Sequence, residues 1–125
     1  MVDERVREGA EMWEQMLGPE RAAETRAAWQ EISPEFEEYV VGFVGGEVWK
    51  RPQLDMRTKS LVTITALAAL GRTMALELNI RMALRNGATR EDITAALLQI
   101  APYAGFPAAW EGLAMAHRVF QETNT

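Results

Sequence analysis

Apolar residues recur along this chain at three- and four-residue intervals, interrupted by glycine and proline, and the pattern predicts helices throughout. Over residues 3 to 17, Val6, Ala10, Trp13, Met16 and Leu17 form one stripe, which Gly18-Pro19 ends. A second helix, from Glu20 to about Glu31, carries only Ala22, Ala23, Ala27 and Trp29 and is weakly amphipathic; Ser33-Pro34 ends it and caps the next. Phe36, Tyr39, Val40, Phe43 and Val44 make a third stripe, with Gly45-Gly46 expected to break the helix just before Glu47. Asp55 is a candidate N-cap for an apolar helix running to Leu70, which Gly71 can terminate. Thr73 is expected to cap a helix bearing Leu76, Leu78, Ile80, Met82, Ala83 and Leu84 and stopping at Asn86-Gly87. Thr89-Arg90-Glu91-Asp92 reads as a capping box opening a helix with Ile93, Ala96, Leu97 and Ile100. Pro102 and Gly105-Phe106-Pro107 bend the chain before a last helix, from Pro107 to about Gln121. No alternating strand pattern is found, so the expected fold is all-α, with about six to seven helices in a single domain spanning residues 1–125.

The segment Leu61 to Leu70 is apolar nearly all round, which fits a helix covered on every side. In so small a domain, part of that cover is expected to come from another subunit.

Polar chemistry gathers at the mouth of that segment. Glu47 lies between Gly46 and Val48-Trp49, where partial burial would raise its pKa and suit it to proton transfer; the alternative is an ion pair with Arg51 or Arg57 that pins the loop. Arg51, Arg57 and Lys59 are cations able to hold a carboxylate, the arginines in bidentate fashion and the lysine as a point charge. Lys50 reads better as a solvated cation, and Trp49 as a wall of a site. Asn79 is a polar residue in an apolar stretch, able to orient a substrate or donate to an oxyanion, or simply to sit on an amphipathic helix. His117, the sole histidine, falls on the apolar side of the last helix and is expected to be partly buried or at a subunit contact.

Composition narrows the classes. With 125 residues, no cysteine and a net charge of −5, the chain has no disulfide or thiolate chemistry and no broad basic face for nucleic acid. The longest apolar run is about half of the ~20 residues a membrane span needs, and the start has no signal-peptide character, so a cytoplasmic protein is expected. Asp3, Glu4, Glu8 and Glu11 are a solvated helix face, and no pairing of His with Glu suggests a metal site.

Gly46-Glu47-Val48-Trp49, Arg51-Pro52, Leu54, Arg57-Thr58-Lys59-Ser60-Leu61, then Asn86-Gly87-Ala88-Thr89-Arg90-Glu91-Asp92-Ile93, Leu97-Leu98-Gln99 and Tyr103-Ala104-Gly105-Phe106-Pro107-Ala108-Ala109 together resemble the carboxymuconolactone decarboxylase family. The resemblance implies an alkyl hydroperoxidase D-like helical fold, dimers commonly assembled into hexamers, and cofactor-free decarboxylation of a carboxylated unsaturated lactone in aromatic compound catabolism. It implies Glu47, Arg57 and Asn79 as catalytic residues, with Arg51, Trp49 and Lys59 binding a small anionic substrate. Lys59 stands where family members often have arginine, and Asn79 where its decarboxylases carry histidine. The alkyl hydroperoxidase branch uses a Cys-x-x-Cys pair, which this chain lacks. The alternatives are a cofactor-free isomerase or cyclase on another lactone or carbonyl compound, and a non-catalytic small-anion-binding oligomer.

Overall fold

The computed structural model describes residues 3–125, which are helical throughout with no strand. They divide into two compact units, Met1–Leu54 and Asp55–Thr125. Among the described residues no helix is long and apolar enough to cross a membrane.

In the first unit, α1 (Glu4–Leu17) is capped by Asp3, whose carboxylate accepts from the Arg5 N–H, and ends at Gly18 with φ 85°. α2 (Pro19–Ile32) follows, with only Ala22 buried, as its thin apolar face leads one to expect. Ser33 caps α3 (Pro34–Tyr39) by accepting from the Phe36 N–H. α3 continues without a break into a π-helical segment, Val40–Val48.

That segment corrects the expected break at Gly45-Gly46. The glycines let α1 come close instead of ending the helix: a Cβ on Gly46 would lie 2.2 Å from the Arg5 carbonyl oxygen, and one on Gly9 only 1.7 Å from that of Val41. Trp13 Nε1 donates to the Val40 carbonyl at 3.2 Å, and a side chain inserted into a helical ladder is one way such a ladder is perturbed. Because α1 takes the glycine-bearing face, the aromatic stripe expected to be buried is not: Phe36, Tyr39 and Phe43 are exposed, while Val41, Gly42, Gly45 and Gly46 are buried. Buried Trp13 meets Trp29 edge-on at 5.3 Å, and Trp29 meets Phe36 at 6.3 Å.

The second unit holds α4 (Met56–Leu70), α5 (Thr73–Arg85), α6 (Arg90–Gln99), the single-turn α7 (Ala101–Ala104) and α8 (Phe106–Thr123). Its ends follow the sequence closely. Asp55 caps α4 by accepting from the Thr58 N–H at 2.7 Å, and Gly71 closes it in the left-handed region with φ 73°. The capping box on α6 is complete, Thr89 Oγ1 accepting from the Asp92 N–H and Asp92 from the Thr89 N–H. Thr73 is not the cap of α5 but its first residue; Arg72 occupies the cap position without a side-chain bond. Ile64 and Ala68 of α4, Leu76, Ile80 and Ala83 of α5, Ile93 and Leu97 of α6, and Ala116, Val119 and Phe120 of α8 form the core. Each large member contributes roughly 1.5–3 kcal/mol by its burial. His117 is exposed in the single chain rather than partly buried, since it sits about 100° round the helix from buried Ala116; the alternative of a subunit contact is unaffected.

Candidate functional site

The candidate residues fall in both units, and the geometry of each set is described within its own. In the first unit, Glu47 stands one residue from the end of the π-helical segment, where the glycines behind it bring α1 alongside. Its side chain is 53% exposed, not flanked by burial, and Glu47 Oε2 takes a 2.9 Å ion pair from Arg5 Nη1. Arg5 is thus a partner for Glu47 beyond the Arg51 and Arg57 that the sequence suggested. One turn further on, Lys50 Nζ meets Glu8 Oε2 at 2.9 Å, so Lys50 is paired rather than simply solvated. Arg5 and Glu8 on α1 thus face Glu47 and Lys50 with opposite signs in register. Trp49 caps the segment, donating its backbone N–H to the Val44 carbonyl, and its indole is buried. Arg51 follows on the exposed stretch before α4.

In the second unit, Arg57 lies on the first turn of α4 and grips Asp92 with two hydrogen bonds, Nε to Oδ2 at 2.9 Å and Nη2 to Oδ1 at 2.6 Å. One edge of the guanidinium is thereby occupied, leaving Nη1 to meet an incoming anion. The Arg57 hydrogen bonds, and next the Thr89 backbone N–H, hold the Asp92 carboxyl far below the usual carboxylate range, and the same pair raises Arg57. The Thr58 backbone N–H, then its hydroxyl, lowers Asp55 likewise. Lys59 is half-buried on the same turn as Arg57.

Asn79 is half-buried on α5, with Nδ2 donating to the Ala75 carbonyl at 2.8 Å. That leaves one amide N–H and the amide oxygen for a ligand. The first turn of α4 is tied to the end of α5 by a contact the sequence did not suggest: Asn86 Nδ2 donates to Ser60 Oγ at 2.9 Å, and Ser60 is 1% exposed. Arg5 and Asp92 were equally out of view as partners, because neither lies near its mate in sequence. Among the described residues no group of three or more His, Cys, Asp or Glu is placed to hold a metal ion.

Chemically, the two units offer a carboxylate with one oxygen engaged, a guanidinium with one edge engaged, and a primary amide with one donor engaged.

The model of the carboxymuconolactone decarboxylase family matches residues 34–118. A protein named 4-carboxymuconolactone decarboxylase, from Acinetobacter baylyi, is 33% identical over 120 residues, which is 96% of this chain and 90% of that protein. Nitrosuccinic acid decarboxylase of Metarhizium robertsii is 30% identical over 86 residues, 69% of this chain and 60% of the relative. An uncharacterized 15.0 kDa protein of Paracoccus denitrificans is 33% identical over 79 residues, 62% of this chain and 59% of its own length.

Proposed function

This chain belongs to the carboxymuconolactone decarboxylase family, and on that premise we propose that it is a decarboxylase of a small carboxylated lactone or related enolisable acid. The observation that carries the reading is the nearly end-to-end likeness to 4-carboxymuconolactone decarboxylase, at 33% identity. The name of the fungal relative bears on the substrate class. Nitrosuccinic acid and 4-carboxymuconolactone share a carboxylate from which the electrons of a departing carbon dioxide can drain into an acceptor, a nitro group in one and a conjugated carbonyl in the other. A proton then adds at carbon. With the substrate as its own electron sink, the reaction so drawn calls for no cofactor.

In this reading Arg57, Arg51 and Lys59 are the cations that bind the anion, and Trp49 supplies apolar surface to the substrate. The remaining N–H of Asn79 steadies the negative charge that builds on the acceptor oxygen. Glu47, exposed enough to take up a proton from solvent, passes it to the carbon that carbon dioxide has left. The same reading includes an alkyl hydroperoxidase D-like fold, one functional domain, a homo-oligomer reaching a hexamer, and a cytoplasmic setting.

The test is carbon dioxide release from 4-carboxymuconolactone and from nitrosuccinic acid, by the parent and by Glu47→Gln. Turnover that falls by about 10²–10⁴-fold in the variant supports the assignment. A parent that turns over neither acid overturns it. One observation favours a second reading, that of a non-catalytic oligomer binding a small anion: Glu47 and Arg57 are each already paired within the chain. Thermal stabilisation by either acid without turnover would select that reading.

A further inference from the structure

Glu47 is the candidate proton donor, yet it stands at the exposed end of a helix whose hydrogen-bonding pattern is rare. An exposed glutamate side chain ordinarily samples several rotamers, whereas a proton donor must be held to within a fraction of an ångström of its target. The structure supplies what would hold it, and supplies it from α1.

Three features converge on this residue. The backbones of α1 and the π-helical segment touch beside it, since a Cβ on Gly46 would lie 2.2 Å from the Arg5 carbonyl oxygen and one on Gly9 3.0 Å from the Gly46 nitrogen. Across that contact Arg5 Nη1 binds Glu47 Oε2 at 2.9 Å. The second ion pair, between Glu8 on α1 and Lys50 just past the end of the segment, ties the same two stretches together a second time. We infer that Arg5 is a positioning residue: it orients the Glu47 carboxyl by one oxygen and turns the other towards the substrate, where it takes up and passes on the proton. A catalytic group aimed by a third residue is a recurrent arrangement in active sites. Here the aiming residue lies 42 positions away in sequence.

The inference rests on the reading of Glu47 as the donor, so its test contains variants that separate the two. Carbon dioxide release from 4-carboxymuconolactone and from nitrosuccinic acid is measured for the parent, Arg5→Gln, Arg5→Lys, Glu47→Gln and the double variant Arg5→Gln/Glu47→Gln. Glu11→Gln, which cuts only the Arg7–Glu11 pair on α1, serves as the control. Arg5→Gln is expected to lower kcat by about ten- to a hundredfold with a smaller change in KM. Arg5→Lys should recover part of the loss, Glu11→Gln should match the parent, and Arg5→Gln should add nothing once Glu47 is gone. Amide exchange over residues 44–50 provides a readout independent of turnover, and Arg5→Gln should speed it with the rest of the chain unchanged.

An active parent with Arg5→Gln as fast as the parent overturns the positioning role and leaves Glu47 standing. Full activity in Glu47→Gln overturns both. Losses that simply add in the double variant overturn the coupling between Arg5 and Glu47. Should the parent turn over neither acid, the proposed function falls, and unchanged exchange in Arg5→Gln then overturns the tether as well.

Discussion

Asp92 Oδ2 accepts from both Arg57 Nε and the Thr89 backbone N–H, each at 2.9 Å. One carboxylate thus caps α6 and holds the first turn of α4, where the cation expected to meet substrate is placed. The arrangement explains how an exposed arginine keeps a fixed direction. It also means that any anion drawn to Arg57 meets a guanidinium already half neutralised.

Acid should release this tie. The Asp92 carboxyl titrates far below its unfolded value because Arg57 and Thr89 bind the charged form. A carboxylate depressed in the folded state stabilises fully above its unfolded pKa, ~3.9, and that contribution is lost as pH falls through the range below. Asp92→Asn keeps an acceptor for the Thr89 N–H but has no charge to lose. The melting temperature of the parent should therefore exceed that of Asp92→Asn near neutrality, and the gap should narrow steadily as pH is lowered from about 4 to about 2. A gap that does not change with pH would show that the charge contributes nothing.

Gly9→Ala should be severe. The added methyl would sit 1.7 Å from the Val41 carbonyl oxygen, on backbone that cannot swing aside. Overpacking of this kind costs at least about 1–3 kcal/mol, read as a fall in the denaturation midpoint. Gly112→Ala is the milder comparison, because its methyl meets side chains only, Leu97 at 3.1 Å and the Ala68 Cβ at 3.3 Å, and needs a shift of a few tenths of an ångström rather than a displaced backbone.

Ser60→Ala removes the acceptor for Asn86 Nδ2 in a nearly solvent-free place. Leaving that donor without a partner costs about 1–3 kcal/mol, measurable by urea unfolding. Ser60→Thr retains the hydroxyl and should recover part of the loss if the hydrogen bond, rather than the shape of the site, is what matters.

Local chemistry was legible in the sequence, and contacts between distant residues were not. Asp55, Gly71, Ser33 and the Thr89–Asp92 box all act within four residues of themselves, and their roles follow from residue type and spacing. The all-helical class followed from periodicity. Gly45-Gly46 misled because glycine both ends helices and lets them approach closely, and only the partner helix decides between the two. The exposure of Phe36, Tyr39 and Phe43 has the same origin: periodicity finds the apolar face, whereas α1 takes the face with room for its backbone. Arg5 with Glu47, Arg57 with Asp92 and Ser60 with Asn86 are separated by 42, 35 and 26 positions, and no spacing rule reaches that far.

Asn79 offers a separation of stability from function. Its side chain bonds to the carbonyl four residues back on its own helix, so Asn79→Ala should leave stability within about 0.5 kcal/mol, alanine being the better helix former. If the amide steadies negative charge on the substrate, turnover should still fall by about 10²–10³-fold. Asn79→His tests the position from the other side. An imidazole can exchange a proton near neutrality, and a rise in turnover would show that this chain works with the weaker group at 79. Equal turnover in all three proteins would remove Asn79 from the mechanism.

The face of α4 expected to be covered is open in the single chain. Val62 and Leu70 are exposed, and Leu61, Val62, Thr65, Ala69, Ala96 and Tyr103 contribute to an apolar hollow of about 530 Å³ in the second unit. Trp110, 75% exposed, adds a large aromatic surface on α8 of the same unit. Soluble monomers seldom leave so much large apolar surface to water, and a second copy of the chain is the cover that the oligomer reading requires. The parent should then sediment as a multiple of its 14.0 kDa chain mass. Val62→Glu would place an unpaired charge in the contact and weaken association by about ten- to a hundredfold, ~1.4–2.8 kcal/mol, with helicity unchanged because position 62 is exposed within the chain. A parent that sediments at the mass of one chain would remove the oligomer from the proposal, and a variant that associates as tightly as the parent would move the contact to another face.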